Sequence, residues 1–205
     1  MTLTILGASG GVGTELTRQA LDRGEDVVAI CRHPDRIALP DSSRLTRVAA
    51  DVLDTEAIAQ ALDGRDTVLS ALGTGQGDKP GVLAAGARAI VAAAPARAVA
   101  VGALGTGRSA KAAGWLTRAL IGVFLRAELD DKVSADEAIL AMGGTVLHVG
   151  PMSDGPVSAT RRSVSLDGVP RRIFPAGVSR ATVAAAMLDA ADTGPFGQIL
   201  VPLAR

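Results

Sequence analysis

Short apolar runs alternate with longer amphipathic stretches along most of the chain. The apolar runs are rich in Val, Ile, Leu and Ala and lack polar alternation, which is typical of strands in a parallel sheet covered on both faces. The predicted strands are 3–6, 27–30, 46–49, 68–71, 98–101 and 146–149, with a closing strand at 198–201. The predicted helices are 11–23, 55–62, 82–94, a long stretch over 109–142, and 180–191.

The alternation of strands with helices predicts βαβ units and a doubly wound α/β sheet with strand order 3-2-1-4-5 and one or two further strands. Gly24 and Gly64 stand where helices should end, and Ser179 is expected to cap the last helix. Beyond Pro151 the pattern becomes rich in Pro, Gly and Arg. We therefore predict one domain over residues 1–205, with a small C-terminal cap built from residues around 105–128 and 152–178.

A glycine-rich loop lies between the first predicted strand and the first predicted helix. Its glycines allow a tight turn, a close approach of backbone N–H groups to a diphosphate, and close packing of the helix on the sheet. An anion bound here would lie at a helix N-terminus, where unpaired N–H donors favour negative charge. The loop residues predicted to bind a dinucleotide are Gly7, Ser9, Gly10, Gly11, Val12 and Gly13.

Arg32 follows the second strand, where an NAD site would place Asp or Glu on the ribose 2′-hydroxyl. Ile30 and Cys31 offer no acid, and a guanidinium suits a phosphate. NADP(H) is therefore favoured over NAD(H), with Arg36 as a second candidate ligand. The alternative is that Arg32 is an ordinary solvated arginine.

The ends of the next two strands supply further candidates, because ligands of such sheets bind at the carboxyl ends of the strands. Asp51 and Val52 are expected to contact the adenine, unless they only form a turn into the next helix. The segment after the fourth strand should line the cofactor site through Ala71, Leu72, Gly73 and Thr74.

Composition narrows the classes of function. The 205 residues include 21 basic and 21 acidic side chains, so the formal net charge is zero. The chain therefore lacks the positive charge that would favour binding to nucleic acid or to an anionic membrane surface. With 48% hydrophobic residues the chain can form a full core. There is no Tyr, so no tyrosine can act as an acid. No Cys/His group has metal-ligand spacing, and the single Cys31 with no signal-like N-terminus predicts a cytoplasmic protein.

The chain resembles the atypical short-chain dehydrogenase/reductase proteins of the NAD(P)H-binding, NmrA-like group, and within them the biliverdin reductase B/flavin reductase type. The resemblance covers essentially the whole length and is more specific in the first half. It is carried by the glycine loop and by the sequences at 31–34 (CRHP), 50–53 (ADVL), 70–74 (SALGT), 86–92 (GARAIVA), 129–132 (LDDK), 149–151 (VGP) and 154–156 (DGP). It implies a Rossmann fold, NADP(H), and hydride transfer to a flavin or another conjugated acceptor.

The chain departs from this group at three places. Lys132 occupies the place of the lysine in the usual Tyr-x-x-x-Lys pair, but Glu128 stands where the tyrosine would be. Gly102 follows the fifth strand, where Ser or Thr is common, and Gly150 precedes Pro151, where Arg is common. The usual proton donor is therefore missing, although a delocalised anion such as a reduced flavin can take its proton from solvent.

Several residues remain as candidates for chemistry near the nicotinamide. Lys132 is expected to bond the ribose hydroxyls, or else to pair with Asp136 on its own helix. Asp131 is a candidate local acid, or a surface carboxylate. Glu128 could act as an acid only if burial raised its pKa. Gly102, Pro151 and Met152 are assigned to the cofactor site, and His148 is expected to be a packed core residue.

The resulting hypothesis is an NADP(H)-dependent reductase of a small conjugated acceptor such as a flavin or quinone, acting as a monomer or homodimer without nucleic acid or membrane. One alternative is a regulator that senses NADP(H) without chemistry. The other is a non-redox isomerase or cyclase on the same scaffold.

Overall fold

The computed structural model of the protein describes residues 1–75, 79–111, 126–170 and 176–204. The strands are β1 (Thr2–Leu6), β2 (Asp26–Cys31), β3 (Leu45–Ala49), β4 (Thr67–Ser70), β5 (Arg97–Ala103), β6 (Thr145–Val149), β7 (Met152–Ser153), β8 (Arg162–Ser165), β9 (Val178–Ser179) and β10 (Ile199–Leu203). The α-helices are α1 (Gly11–Asp22), α2 (Thr55–Leu62), α3 (Val82–Ala93), α4 (Arg126–Ala141) and α5 (Arg180–Thr193), and a short 3-10 helix spans Gly107–Lys111.

Eight of the described strands form one sheet in the order β3-β2-β1-β4-β5-β6-β10-β8. Every neighbouring pair is parallel except β10 and β8. The predicted doubly wound Rossmann sheet, with order 3-2-1-4-5 followed by further strands, is therefore confirmed. The order reverses between β1 and β4, and ligands of such sheets bind beside that reversal.

The sheet is buried on both faces because successive side chains of a strand point to opposite sides. In β1, Leu3 and Ile5 pack into the core layer that contains α1 and α5. Leu6 belongs to the opposite layer, which contains α2, α3 and α4. This two-sided burial explains why the strands read as continuous apolar runs.

Helix ends follow the local chemistry of the sequence. Ser179 caps α5, since its Oγ accepts a hydrogen bond of 3.1 Å from the N–H of Thr182. Asp54 caps α2 by accepting from the N–H of Ala57 at 3.1 Å. Gly24 follows α1 with φ +80°, a conformation that costs glycine little.

The described residues of the predicted C-terminal cap belong partly to a separate two-stranded sheet and partly to the main sheet. Met152–Ser153 pairs with Val178–Ser179, and Arg162–Ser165 joins the main sheet as an antiparallel edge strand beside β10. Residues 112–125 and 171–175, which belong to the predicted cap, lie outside the described residues. Among the helices described, none is long and apolar enough to traverse a bilayer.

Candidate functional site

A cleft of about 600 Å³ runs along the carboxyl ends of the parallel strands. Its walls are formed by residues at the carboxyl ends of β1, β2, β3, β4, β5 and β6, or directly after these strands. Adjacent strands lie about 4.8 Å apart, so β2 and β5 are separated by roughly 14 Å. The cleft thus has the length of an extended ligand rather than of a compact one.

The glycine loop forms the middle of the cleft. Gly7 adopts φ +80°, and a Cβ there would lie 3.0 Å from the backbone of Ala71. A Cβ on Gly13 would run into the carbonyl oxygen of Gly7 and lie 2.8 Å from the Cα of Ala8. The loop can close this tightly only because these residues are glycines. Since α1 begins at Gly11, the N–H groups of its first turn have no helical acceptor and can bind the diphosphate of a dinucleotide.

Arg180 lies across this loop, although it comes from the other end of the chain. Its Cδ is 2.7 Å, and its Nε 2.9 Å, from the place where a Cβ on Gly11 would be. Its guanidinium pairs with Asp154 at 2.5 Å, and the side chain lines the cleft. The sequence analysis missed Arg180, and the only signal there was a basic residue directly after the helix cap Ser179.

One end of the cleft is formed by the ends of β2 and β3. Arg32, Asp51 and Val52 line it. The Oδ1 of Asp51 accepts a hydrogen bond of 2.9 Å from the N–H of Leu53, so this carboxylate also shapes the turn into α2. Arg36 belongs to an exposed 3-10 turn and is not part of the cleft lining.

At the other end, Thr74, Glu128 and Lys132 form a connected polar group. The Thr74 hydroxyl donates to Glu128 Oε2 at 2.6 Å, and Lys132 Nζ donates to the same oxygen at 2.8 Å. The hydrogen bond from Lys132, and then that from Thr74, lowers the pKa of Glu128 below its ordinary value. The condition under which Glu128 could replace the tyrosine acid, a raised pKa, is therefore not met.

Lys132 itself lines the cleft, and its side chain is 14% exposed. It pairs with Glu128 one turn earlier on α4, so the alternative pairing with Asp136 is wrong. Thr74 and Glu128 hold the ammonium group at this end of the cleft.

Asp131 is turned towards the start of α3. Its two carboxylate oxygens accept hydrogen bonds from the N–H groups of Leu83, at 3.1 Å, and Ala84, at 2.8 Å. These donors lack helical acceptors, so Asp131 caps α3 from a neighbouring helix. It is not part of the cleft lining, and its suggested catalytic role stays a prediction that this geometry does not favour.

A buried polar chain lies behind the cleft wall at the same end. His148 Nδ1 is 2.6 Å from Ser109 Oγ, and His148 Nε2 is 3.0 Å from Asp136 Oδ2. The second contact is close, but its direction does not meet hydrogen-bond geometry, so both atoms lack a hydrogen-bond partner among the described residues. His148 is buried as predicted, but it is linked to polar groups that the sequence analysis did not associate with it.

Gly102 makes room for this arrangement. A Cβ there would lie 2.8 Å from Asp136 Oδ1 and 2.8 Å from His148 Cδ2. Gly102, Asp136 and Met152 line the cleft, whereas Pro151 does not and instead accepts a hydrogen bond from the N–H of Val178 through its carbonyl oxygen.

A sequence profile described as NAD(P)H-binding matches residues 7–193. The chain belongs to this NAD(P)H-binding family. The match begins at the first glycine of the loop and extends through α5, so of the residues that line the cleft it leaves out only Leu6. The resemblance on which the sequence analysis relied is confirmed at this level.

Solved structures agree on the fold of this NAD(P)H-binding protein. An anaerobilin reductase from Escherichia coli O157:H7 superposes with TM-score 0.76 at 20% identity, covering 99% of this chain and 97% of that one. A candidate NADH-flavin reductase from Streptococcus pneumoniae gives TM-score 0.78 at 18% identity, with 99% of both chains covered. A short-chain dehydrogenase/reductase from Veillonella parvula in complex with NADP gives 0.77 at 18%, with 98% and 93% covered.

Curated relatives match the NAD(P)H-binding chain over shorter stretches. An uncharacterized protein of Mycobacterium tuberculosis is 41% identical over 69 residues, which are 33% of this chain and 8% of the relative. Sterol demethylase protein B of Methylococcus capsulatus is 38% identical over 64 residues, 31% of this chain and 20% of the relative. The matched part is thus a small fraction of those longer proteins.

The cleft brings together most residues that the sequence analysis assigned to a cofactor site. Those that line it are Gly7, Ser9, Gly10, Gly11, Val12, Arg32, Asp51, Val52, Ala71, Leu72, Gly73, Thr74, Gly102, Met152 and Lys132. Gly13 lies behind the loop as a packing position, and Arg36, Pro151 and Asp131 lie away from the lining. The additional cleft residues with charged side chains are Arg180 and Asp136.

Proposed function

We propose that the protein is an NADP(H)-dependent reductase that transfers hydride to a small conjugated acceptor such as a flavin or a quinone. The observation that carries the proposal is the continuity of one cleft from Arg32, past the glycine loop, to Lys132 and Asp136. The cleft offers a guanidinium at one end, backbone N–H groups in the middle and the Lys132 ammonium group at the other end. These groups match the charges and hydroxyls of an extended dinucleotide phosphate.

In this proposal different residues bind different parts of the cofactor. Gly11 and Val12 donate backbone N–H groups to the diphosphate, since the N–H of Gly10 is used by the carbonyl oxygen of Gly7, and Arg180 adds its guanidinium. Arg32 holds the 2′-phosphate, while Asp51 and Val52 contact the adenine. Lys132, fixed by Glu128 and Thr74, donates to hydroxyls of the nicotinamide ribose.

When bound, the reduced nicotinamide supplies a hydride. The chain has no tyrosine, so it lacks the phenol with which many short-chain reductases protonate an alkoxide. A conjugated acceptor spreads the negative charge that the hydride brings, which reduces the demand for a strong acid beside the reacting atom. This favours flavins and quinones over simple ketones.

The experiment has a binding arm and a turnover arm. Calorimetric titration of the purified protein with NADPH and with NADH should show that NADPH binds at least tenfold more tightly. Oxidation of NADPH, followed at its absorbance band, should proceed with FMN or a small benzoquinone. Equal affinity for both coenzymes would contradict the assignment of Arg32 to the 2′-phosphate. If neither coenzyme bound, the proposed function would be wrong.

Binding of NADPH without turnover of any acceptor would favour the second candidate, a regulator that responds to the NADP(H) pool. The arrangement that favours it is the ion pair between Lys132 and Glu128, because it partly neutralises the ammonium group that the chemistry would use.

A further inference from the structure

Asp154 and Arg180 lie side by side at the ends of two short strands. β7 and β9 are parallel, with Ser153 opposite Ser179, and the next residue of each segment is a member of the ion pair. The two residues are 26 positions apart in the chain, so the pairing of the strands brings them together. Asp154 begins the DGP sequence at 154–156, to which the proposed function assigns no role.

The segment that carries Asp154 is attached to the first turn of α5. The Oγ of Ser179 donates a hydrogen bond of 2.8 Å to the carbonyl oxygen of Pro156. The N–H of Ser158 donates to Oγ1 of Thr182 at 2.9 Å. Both partners of the ion pair therefore belong to one hydrogen-bonded unit, which fixes their backbones relative to each other.

From this unit the side chain of Arg180 extends over the start of α1. Its Cδ and Nε lie 2.7 and 2.9 Å from the place that a Cβ on Gly11 would take, so the side chain uses space that a glycine leaves open. Among the described residues the guanidinium has one hydrogen-bond partner, Asp154, which it contacts through Nη1 at 2.5 Å. A guanidinium carries five N–H donors, so those on Nε and Nη2 remain for an anion at the N-terminus of α1.

We propose that Asp154 is a positioning residue for coenzyme binding, which holds the Arg180 guanidinium over the glycine loop before the coenzyme arrives. This inference rests on the proposed function, in which Arg180 binds the diphosphate. A long side chain that moves freely in the unbound protein loses conformational freedom when it closes on a ligand, and that loss weakens binding. Because Asp154 and the β7–β9 sheet already restrain Arg180, most of that freedom is lost before binding.

The charge of Asp154 acts in the opposite direction. A carboxylate beside the guanidinium repels the diphosphate and competes with it for N–H donors. The Asp154 side chain is 94% exposed, so water and salt weaken this repulsion, and they weaken it more than the direct hydrogen bond of 2.5 Å. That bond uses a single nitrogen of Arg180 and leaves the other donors available. We therefore expect the restraint to outweigh the repulsion.

The first test measures the affinity of the full chain for three ligands by calorimetry. They are NADPH, NADH and 2′-AMP, a fragment that has the 2′-phosphate but no diphosphate. Asp154→Ala should weaken NADPH and NADH by the same factor, about threefold to fivefold, because an unrestrained Arg180 must then be ordered by the ligand. It should leave the affinity for 2′-AMP unchanged.

Asp41→Ala is the matched control. Its carboxylate is 97% exposed and pairs with Arg47 at 2.7 Å, so this variant also removes the acidic partner of an exposed arginine ion pair. Neither Asp41 nor Arg47 lines the cleft. The control should leave the affinities for all three ligands unchanged.

A double-mutant cycle shows whether Asp154 acts through Arg180. In Arg180→Ala the carboxylate has no guanidinium to hold, so adding Asp154→Ala should change the affinity for NADPH by less than about 1.5-fold. A residue that only supported the fold of the β7–β9 sheet would instead weaken binding by the same factor in both backgrounds.

The outcomes separate this inference from the proposed function. Tighter binding of NADPH by Asp154→Ala would overturn the inference, because Asp154 would then compete with the coenzyme for Arg180. An unchanged affinity for NADPH, an equal loss for 2′-AMP, or an equal loss in the Arg180→Ala background would also overturn it. In each of these cases the unaltered protein still binds NADPH, and the proposed function stands. If the unaltered protein bound neither coenzyme, the proposed function would be wrong, and this inference with it.

Discussion

Gly13 packs directly against the carbonyl oxygen of Gly7, which leaves no space for a side chain at position 13. Both partners are backbone, so neither can move aside by changing a rotamer. The contact joins the beginning of α1 to the end of β1, and it sets how closely the first turn of α1 packs against the glycine loop.

Gly13→Ala should lower the free energy of unfolding by about 1–3 kcal/mol or more and weaken NADPH binding, because the added methyl group overpacks this contact. Urea unfolding and calorimetric titration measure the two effects. Gly73→Ala is the control for stability, since a Cβ there would meet nothing within 4 Å. Equal stability of the two variants would contradict the packing role of Gly13.

Arg32→Ala should weaken NADPH binding by about 10–100-fold and change NADH binding less than twofold, because a charge-assisted hydrogen bond to the 2′-phosphate contributes about 1.5–3 kcal/mol. Titration with both coenzymes measures the difference. Arg36→Ala is the matched control, since Arg36 lies in the exposed turn Pro34–Arg36. A comparable loss in Arg36→Ala would show that the phosphate lies outside the cleft end described here.

Arg180→Ala should weaken NADPH and NADH by the same factor, about tenfold, because the diphosphate is common to both coenzymes. The same titrations test this, with Arg161→Ala as a control from the same half of the chain, since Arg161 pairs with Asp189. A loss confined to NADPH would instead assign Arg180 to the 2′-phosphate.

Asp131→Ala should lower the free energy of unfolding by about 0.5–2 kcal/mol, the usual effect of losing a helix cap, while the folded protein keeps its turnover. Thermal unfolding and NADPH oxidation measure the two quantities. Asp130→Ala removes the adjacent exposed carboxylate and should have little effect on either. A large fall in kcat without a fall in stability would restore Asp131 as a catalytic residue.

Glu128 should contribute stability that depends on pH. Its hydrogen bonds with Lys132 and Thr74 lower its pKa from the ordinary value of 4.5, so the folded state favours the ionised form. This preference stabilises the folded state at pH values above the ordinary pKa of Glu128. The stabilisation is lost as the pH falls through the lowered pKa of the folded state. Glu128→Gln should therefore cost about 0.2–1 kcal/mol near pH 7, with the difference disappearing in acid. Urea midpoints across pH test this, with the exposed Glu56→Gln as control. A difference that persisted below the lowered pKa would point to a cause other than ionisation.

Helices and turns that are marked by hydrophobic periodicity or by capping residues could be predicted directly from the sequence. The prediction of 55–62 as a helix agrees with α2, and Ser179 caps α5 as expected. The sequence could place the glycine loop and Arg32 at the cleft because they directly follow the first two strands. Hydrophobic periodicity and turn chemistry act over a few residues, so no distant contact is needed to recognise them.

Residues that meet across the fold could not be found in this way. Asp136 appeared as a partner for Lys132, yet α4 turns it towards His148, and Lys132 pairs with Glu128 instead. Asp131 appeared as an acid, yet the packing of α4 against α3 makes it a helix cap. The rotation of a helix about its own axis decides such pairings, and that rotation follows from the packing of whole faces.

By itself the amino-acid sequence determined the order of strands and helices, the parallel sheet and the glycine loop, since each depends on the period of apolar residues or on glycines at a single junction. The tertiary structure alone decided that Arg180 covers this loop and that Ser109, His148 and Asp136 converge behind the cleft wall. These side chains are far apart along the chain, and only the packing of helices on both faces of the sheet brings them within hydrogen-bonding distance.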